Sequence, residues 1–366
     1  MKMKSEEKYI IDPICNMVIE KENSIVLKLK NTDYFFCSEG CKKKFEQKRL
    51  NRVDEKLEIY DLIIIGGGPA GLTAGVYASI LKLHAFLISK ELGGQAIDST
   101  KIENYMGFDF ITGPELIEKF HYQLVNSHFI DHLLSEVEIV EQADDKNFVV
   151  TIADSKKIKA KTILLATGMR RRKLNIPGES EFQRKGIFYG SIQDVSYLQD
   201  NEIAIIGGGN SALQLVEDLH EISNKIYLIS DTVLTGDATI IERIKKIKTV
   251  EIFEEYKIEK FIGDKVLSGV SIRKKGGRVS KLLPVSGVQI AIGLKPDTSL
   301  VTKLVDLNDK GEILINQDCS TSYPGIFAAG DVTNVFGKRI IIASGEGAKA
   351  VLALKKFIIN NKHLKK

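Results

Sequence analysis

Three of the four cysteines, Cys15, Cys37 and Cys41, crowd into the start of the chain, and only Cys319 lies elsewhere. So few cysteines form a local site rather than a disulfide framework. Cys37 and Cys41 are four apart, so at a helix start both thiolates project from one face. Cys15, brought in by the hairpin between, would complete a three-sulfur site. No histidine precedes His84, and a sulfur-rich ligand set selects soft or borderline metals such as copper(I) or zinc. A fourth ligand, if there is one, is water, Asp12 or Met17. Two other readings stand beside the metal: small buried hydrophobes in a tiny core, or a mobile dithiol in which Cys37 and Cys41 carry electrons. A module this small buries little surface and benefits from a metal staple. Cys319, in the polar run Asn316-Gln317-Asp318-Cys319-Ser320, reads as structural.

A second chemistry is written in glycine. In Leu62-Ile63-Ile64-Ile65-Gly66-Gly67-Gly68-Pro69-Ala70-Gly71 the pattern G-x-G-x-x-G falls on Gly66, Gly68 and Gly71, with an apolar strand before it and a helix after it. Backbone N–H groups and the helix N-terminus then receive a pyrophosphate. Ile203-Ala204-Ile205-Ile206-Gly207-Gly208-Gly209-Asn210-Ser211-Ala212 repeats the device, with Ala212 at the packing position. The residue that holds the ribose hydroxyls is expected about 20 residues further on, at the end of the next strand. Glu91 is the candidate for the first turn and Asp231 for the second. No Arg or Lys follows Asp231 until Arg243, so the cation that would bind a 2′-phosphate is missing from that stretch, and NADH is favoured over NADPH.

The elements that position these residues are those of an α/β protein, apolar runs alternating with amphipathic segments. The chain has 366 residues, 43% of them apolar, enough for two or three domains with sizeable cores. With 52 Lys and Arg against 48 Asp and Glu, the net charge of +4 does not suggest a nucleic-acid binder. No apolar run approaches the ~20 residues of a membrane-spanning helix. The charged start does not read as a secretory signal, so a cytoplasmic location is expected.

From Tyr60 to Leu354 the chain resembles the thioredoxin reductase family of flavoproteins. Besides the first glycine turn, the resemblance rests on Glu91-Leu92-Gly93-Gly94-Gln95, Ile102-Glu103-Asn104-Tyr105, Ala166-Thr167-Gly168, Ile176-Pro177-Gly178-Glu179, Ile292-Gly293-Leu294-Lys295-Pro296-Asp297 and Gly325-Ile326-Phe327-Ala328-Ala329-Gly330-Asp331. The run Ile340-Ile341-Ile342-Ala343-Ser344-Gly345-Glu346-Gly347 looks especially like the flavoprotein component of alkyl hydroperoxide reductase, an NADH-preferring branch. The resemblance implies two Rossmann-like domains: an FAD domain in two parts, residues 59–173 and 294–366, and an NAD(P) domain, 174–293, inserted between them. It also implies a homodimer. Gly66, Gly68, Pro69, Ala70 and Gly71 would hold the FAD pyrophosphate, and Asp331, after Gly330, a ribityl hydroxyl. Gly94, Gln95, Asn104, Thr167 and Gly168 would lie along the cofactor, and Arg339-Ile340 would approach the flavin ring at a helix start. Gly207, Gly209, Asn210 and Ser211 would bind the nicotinamide nucleotide. Residues 1–46 resemble a YHS domain, on Asp12-Pro13-Ile14-Cys15-Asn16-Met17 and Phe36-Cys37-Ser38-Glu39-Gly40-Cys41, with a linker over 47–58.

One departure bears on function. Where the family carries a C-x-x-C pair, this chain reads Gly190-Ser191-Ile192-Gln193, followed by Asp194. A redox dithiol needs one thiolate to attack and a second thiol to resolve, so this position cannot form the usual disulfide. Asp194, which in the family helps to move protons, serves here either that role or a turn. The expected function is NADH oxidation through FAD to an external acceptor: a metal or metal-bound thiol, a small molecule, or a small redox protein. The alternatives are a disulfide reductase working through Cys37 and Cys41, and a flavin-containing metal or redox sensor.

Overall fold

The computed structural model describes residues 9–12, 17–29, 32–42, 58–99, 101–143, 146–189 and 197–361. Cys15, the segment 190–194 and most of the linker lie outside the described residues. The chain divides into two compact units, residues 1–169 with 296–366, and residues 170–295.

At the start of the first unit, β1 (Tyr9–Ile11) pairs antiparallel with β2 (Val18–Glu20), and β3 (Ile25–Leu29) with β4 (Thr32–Phe36). Tyr34 and Phe36 are the buried centre here, with Ile25, Leu27 and Cys41 packed against them. Among the described residues this core buries little surface.

The main sheet of this unit contains β5 (Tyr60–Gly67), β6 (Ala85–Leu92), β7 (Ile130–Leu134), β8 (Val137–Gln142), β9 (Phe148–Ile152), β10 (Lys157–Leu165) and β21 (Ile326–Ala328), in the order β7-β6-β5-β10-β9-β8 with β21 also on β10. β5, β6, β7 and β21 run parallel to their neighbours, β10 runs parallel to β5 and β21, and β9 pairs antiparallel with both β10 and β8. The apolar run of β5 is explained by burial on both faces. Leu62 and Ile64 pack with helices α1 (Pro69–Ile80), α2 (Gly113–Val125) and α5 (Ile340–Asn360), whereas Ile63 and Ile65 face the β8–β10 side and Val301 and Val305. Each such side chain contributes about 1.5–3 kcal/mol, so the strand that carries the first glycine turn is firmly anchored.

The chain leaves this unit at β11 (Met169–Arg171) and returns at β20 (Leu294–Pro296), which pair with each other. Within the second unit a parallel sheet, in the order β12-β19-β13-β14-β15, is formed by β12 (Ile187–Tyr189), β13 (Glu202–Ile206), β14 (Lys225–Ile229), β15 (Val250–Phe253) and β19 (Gly287–Ile290). An antiparallel ribbon of β16 (Tyr256–Gly263), β17 (Leu267–Lys274) and β18 (Ser280–Pro284) adds a second layer. The alternation of β5 recurs in β13: Ile203 and Ile205 pack with α3 (Asn210–Leu219), and Ala204 and Ile206 pack towards the ribbon. A short α4 (Ala238–Ile244) follows β14. No helix among the described residues is long and apolar enough to cross a membrane.

Candidate functional site

Each unit carries a strand–turn–helix at the C-terminal end of its parallel strands, where ligands bind in such sheets. In the first unit Gly66 has φ +118°, and a Cβ there would lie 2.2 Å from the Ala166 carbonyl oxygen. A Cβ on Gly71 would stand 1.9 Å from the oxygen of Gly66, so strand and helix meet at van der Waals contact. Gly68, the N-cap of α1, has nothing within 4 Å of where a Cβ would be. Pro69 sits at the first helical position, where its missing N–H costs nothing. The turn therefore presents an open backbone edge at a helix N-terminus, a cradle that suits a pyrophosphate.

The other expected residues of this unit gather around that turn in part. A Cβ on Gly94 would lie 3.4 Å from Gly68 Cα, and the Gly93 N–H donates to Gly67 O at 2.7 Å. Gln95 donates from Nε2 to Met169 O at 2.8 Å, and Thr167 from Oγ1 to Asp297 O at 2.6 Å. Both side chains thus brace the loops beside the turn. Gly168 is held by the Asp297 N–H and is open above its Cα. Asn104 stands exposed on the loop between the bridged residues Ile102 and Ile111. Glu91 is exposed, while its backbone N–H and carbonyl are both bonded to Ser89 Oγ. Ser89, buried at 8% exposure, is the side chain lying against Gly67 in the turn. Its second-unit counterpart, Ser230, lies against Gly208 in the same way. Neither serine belongs to a motif that the sequence displays.

The return segment supplies Gly330 and Asp331. A Cβ on Gly330 would touch the Ala70 side chain at 3.0 Å, and one on Gly347 would stand 2.1 Å from Ala70 O, so the Gly-Asp loop and α5 both press on the first turn. Glu346 on α5 is buried, and its carboxylate accepts from the Gly330 N–H at 3.0 Å and from Thr333 Oγ1 at 3.4 Å, with Lys349 at 3.6 Å. Lys338 donates to the carbonyls of Asp331 and Thr333 and pairs with Glu312 at 3.0 Å. Burial pushes the Asp331 carboxyl above the usual carboxylate range, Lys338 and Arg339 oppose that shift, and Glu346 adds to it. Arg339 is the N-cap residue of α5 and Ile340 its first residue. Ser344 Oγ, one turn into α5, is buried and has no hydrogen-bond partner among the described residues. An open glycine cradle, a desolvated carboxyl and an orphaned hydroxyl are the features a bound dinucleotide would satisfy, so these residues fit FAD.

In the second unit Gly207 has φ +140°, and a Cβ would stand 2.3 Å from Ala291 O. Gly209 is the N-cap of α3 and, like Gly68, has open space above it. Asn210 is engaged within the protein: its Oδ1 accepts from the Asp237 N–H at 2.6 Å and helps to seat the loop 235–237 over Gly208. Ser211 is exposed. Asp231 is exposed just beyond β14, and Lys275 Nζ lies 4.0 Å from its carboxylate. The cation that the local sequence lacks is thus brought in by the end of β17. Glu179, the last residue of the Ile-Pro-Gly-Glu motif, is a buried carboxylate accepting from Leu174 N (2.9 Å), Asn175 N (2.6 Å) and the Tyr189 hydroxyl. Burial, and then that hydrogen bond, push the Tyr189 phenol well up.

In the amino-terminal segment Cys37 Sγ and Cys41 Sγ are 3.6 Å apart. Asp12 is fully buried, and its Oδ2 accepts from the Cys37 N–H at 2.7 Å. One ligand atom from each of Asp12, Cys37 and Cys41 lies within 4.8 Å of the others. Cys319 is fully buried, and burial first, then Glu346, push its thiol up to about 12, in keeping with a structural role.

Comparison with known proteins agrees with this geometry. A profile of the pyridine nucleotide-disulphide oxidoreductases matches residues 60–351. The alkyl hydroperoxide reductase F protein of Staphylococcus epidermidis is 34% identical over 303 residues, covering 82% of this chain and 60% of that protein. The Staphylococcus aureus protein of the same name is 33% identical over 308 residues, covering 84% and 61%. The chain thus spans about 60% of the length of these curated relatives. Among solved structures, Lactococcus lactis thioredoxin reductase superposes with a TM-score of 0.68 at 29% identity, covering 82% of this chain and 99% of that one. Thioredoxin reductase of T. acidophilum gives 0.67 at 30%, covering 83% and 100%. The chain belongs to the pyridine nucleotide-disulphide oxidoreductase family, to which its matches among alkyl hydroperoxide reductase F proteins and thioredoxin reductases also point.

Proposed function

We propose that this chain oxidises NADH through bound FAD and delivers the electrons to an external acceptor without an internal disulfide in the reductase segment. The observation that carries the reading is a pairing: two glycine turns with open cradles at Gly68 and Gly209, and no cysteine in the segment 190–193. In the first unit the Gly66–Gly71 turn would bind the FAD pyrophosphate. Asp331, held by Glu346 through Gly330 and by Lys338, would take a ribityl hydroxyl, and the α5 N-terminus at Arg339 and Ile340 would face the flavin ring. Bound FAD supplies two-electron acceptance from NADH and release to the acceptor. The α5 N-terminus, carrying partial positive charge, favours negative charge beside it. The relatives' names point to a redox-protein acceptor, and a homodimer in the cytoplasm is the expected working form.

The amino-terminal segment is read as a metal-binding module. Two ligands ~2.3 Å from a tetrahedral ion lie about 3.8 Å apart, and the Cys37–Cys41 spacing is close to that. The buried Asp12 carboxylate beside these thiols completes a donor set of one oxygen and two sulfurs that suits a cation. Cys15 would be a further ligand. With an oxygen donor in the set, zinc is favoured over copper(I). The second reading, a Cys37–Cys41 redox pair serving a disulfide reductase, rests on the same short sulfur separation.

The test is anaerobic mixing with NADH and then steady turnover with an artificial one-electron acceptor, for the native chain and for Cys37→Ser. The proposal expects flavin bleaching and acceptor reduction unchanged by the substitution. Loss of turnover in Cys37→Ser would favour the disulfide route. Absence of bleaching with either nicotinamide nucleotide would overturn the donor assignment.

A further inference from the structure

We propose that nucleotide choice in the second unit is set by the ion pair Asp231–Lys275, and that Lys275 gives the site affinity for 2′-phosphorylated nucleotides as well as for NADH. The inference rests on the second glycine turn binding a nicotinamide nucleotide. Asp231 follows β14 at the sheet end where that turn opens, the place from which a carboxylate meets the adenosine ribose. Lys275 reaches the same spot from the end of β17, and its backbone is fixed there. Its N–H donates to Glu255 O at 2.7 Å, and the neighbouring Tyr256 N–H donates to Ser230 O at 2.9 Å, next to Asp231. The register Tyr256↔Lys274 ties the two strands together at this level.

Opposite charges therefore stand where the 2′ substituent of the nucleotide would lie. Asp231 accepts a hydrogen bond from a 2′-hydroxyl and repels a 2′-phosphate, whereas Lys275 donates to that phosphate. The ammonium and the carboxylate are 4.0 Å apart, and Asp231 is 74% exposed. Exposed pairs of this kind are weak, so a ligand phosphate can draw Lys275 away from Asp231. Dual acceptance with NADH preferred follows from the pair, and either residue alone would make the site selective.

Titration calorimetry of the full chain with ADP-ribose and with 2′-phospho-ADP-ribose tests this without turnover. Lys275→Ala should weaken binding of the 2′-phosphorylated probe about tenfold, a loss of about 1.4 kcal/mol, and leave ADP-ribose within about threefold. Asp231→Asn should shift the ratio the other way, strengthening the 2′-phosphorylated probe. Both side chains are partly or largely exposed, and thermal melts would confirm intact folding. If the native chain binds both probes and neither substitution moves their ratio, the inference is overturned. If it binds neither probe, the reading of the second turn on which the inference rests is overturned.

Discussion

The two glycine turns share a strand–turn–helix plan and differ in what is built over them. The first is pressed by three distant parts of the chain: Ala166 against Gly66, the Gly330 loop against Ala70, and Gly347 of α5 against the Ala70 carbonyl. A buried carboxylate, Glu346, ties the Gly330 loop to α5. The second shares the first of these braces, with Ala291 standing against Gly207, and is otherwise covered by one nearby loop, 235–237, bonded to Gly208 and to the exposed Asn210. Long-range, buried bracing suits a resident cofactor, and local, exposed bracing suits a nucleotide that enters and leaves at each turnover.

The comparison breaks most readily at the packing position. Gly71→Ala, which sets a methyl against the Gly66 oxygen, should destabilise the first unit by about 3 kcal/mol, whereas Ala212→Gly should cost about 0.5–1 kcal/mol. Differential scanning calorimetry reads both. Next in size, Glu346→Ala strips the buried Gly330 N–H of its acceptor and should weaken FAD binding by about 2 kcal/mol, seen as loss of flavin on dilution. Glu346→Gln keeps an acceptor oxygen and should restore most of it. In the second unit Gln289 is fully buried on β19, and neither amide atom has a partner among the described residues. Gln289→Leu should therefore stabilise by about 1–2 kcal/mol in chemical unfolding.

The smallest effect sharpens the contrast by pH. Asp331 ionises at a higher pH in the folded chain than in the unfolded one, chiefly through burial. The stability linked to its protonated form is present below the ordinary carboxylate range and is lost as pH rises through the raised folded value. Flavin-free Asp331→Asn should accordingly melt above the native chain at pH ~7 and coincide with it at pH ~3, below the ordinary aspartate value. The same variant should bind FAD more weakly.

The sequence already spoke for both turns, the Gly-Asp loop and the start of α5, because each is a local pattern whose backbone consequence is fixed by neighbouring residues. Contacts across the chain were not legible. Lys275 comes to Asp231 from β17, so scanning forward from Asp231 could only find Arg243. Glu346 stood in plain view in the Ser-Gly-Glu-Gly run, yet nothing local says that its carboxylate meets Gly330. Asn210, expected to meet the nucleotide from its place after the turn, also has its Oδ1 engaged by the Asp237 N–H, a contact from 27 residues away that the turn motif does not display. Asp12, one of the candidates for a fourth ligand, is brought to the two cysteines by its burial and its bond to the Cys37 N–H, neither of which the motif displays.

The central claim is that the flavin is the only redox centre in the electron path. Anaerobic reductive titration of the chain as purified, with metal and FAD retained, tests it by counting. The account predicts an end point of about two electrons per chain, all of them seen as flavin bleaching. An end point of about four, with Cys37 and Cys41 becoming reactive to thiol reagents only after reduction, would reveal a redox disulfide and contradict the account.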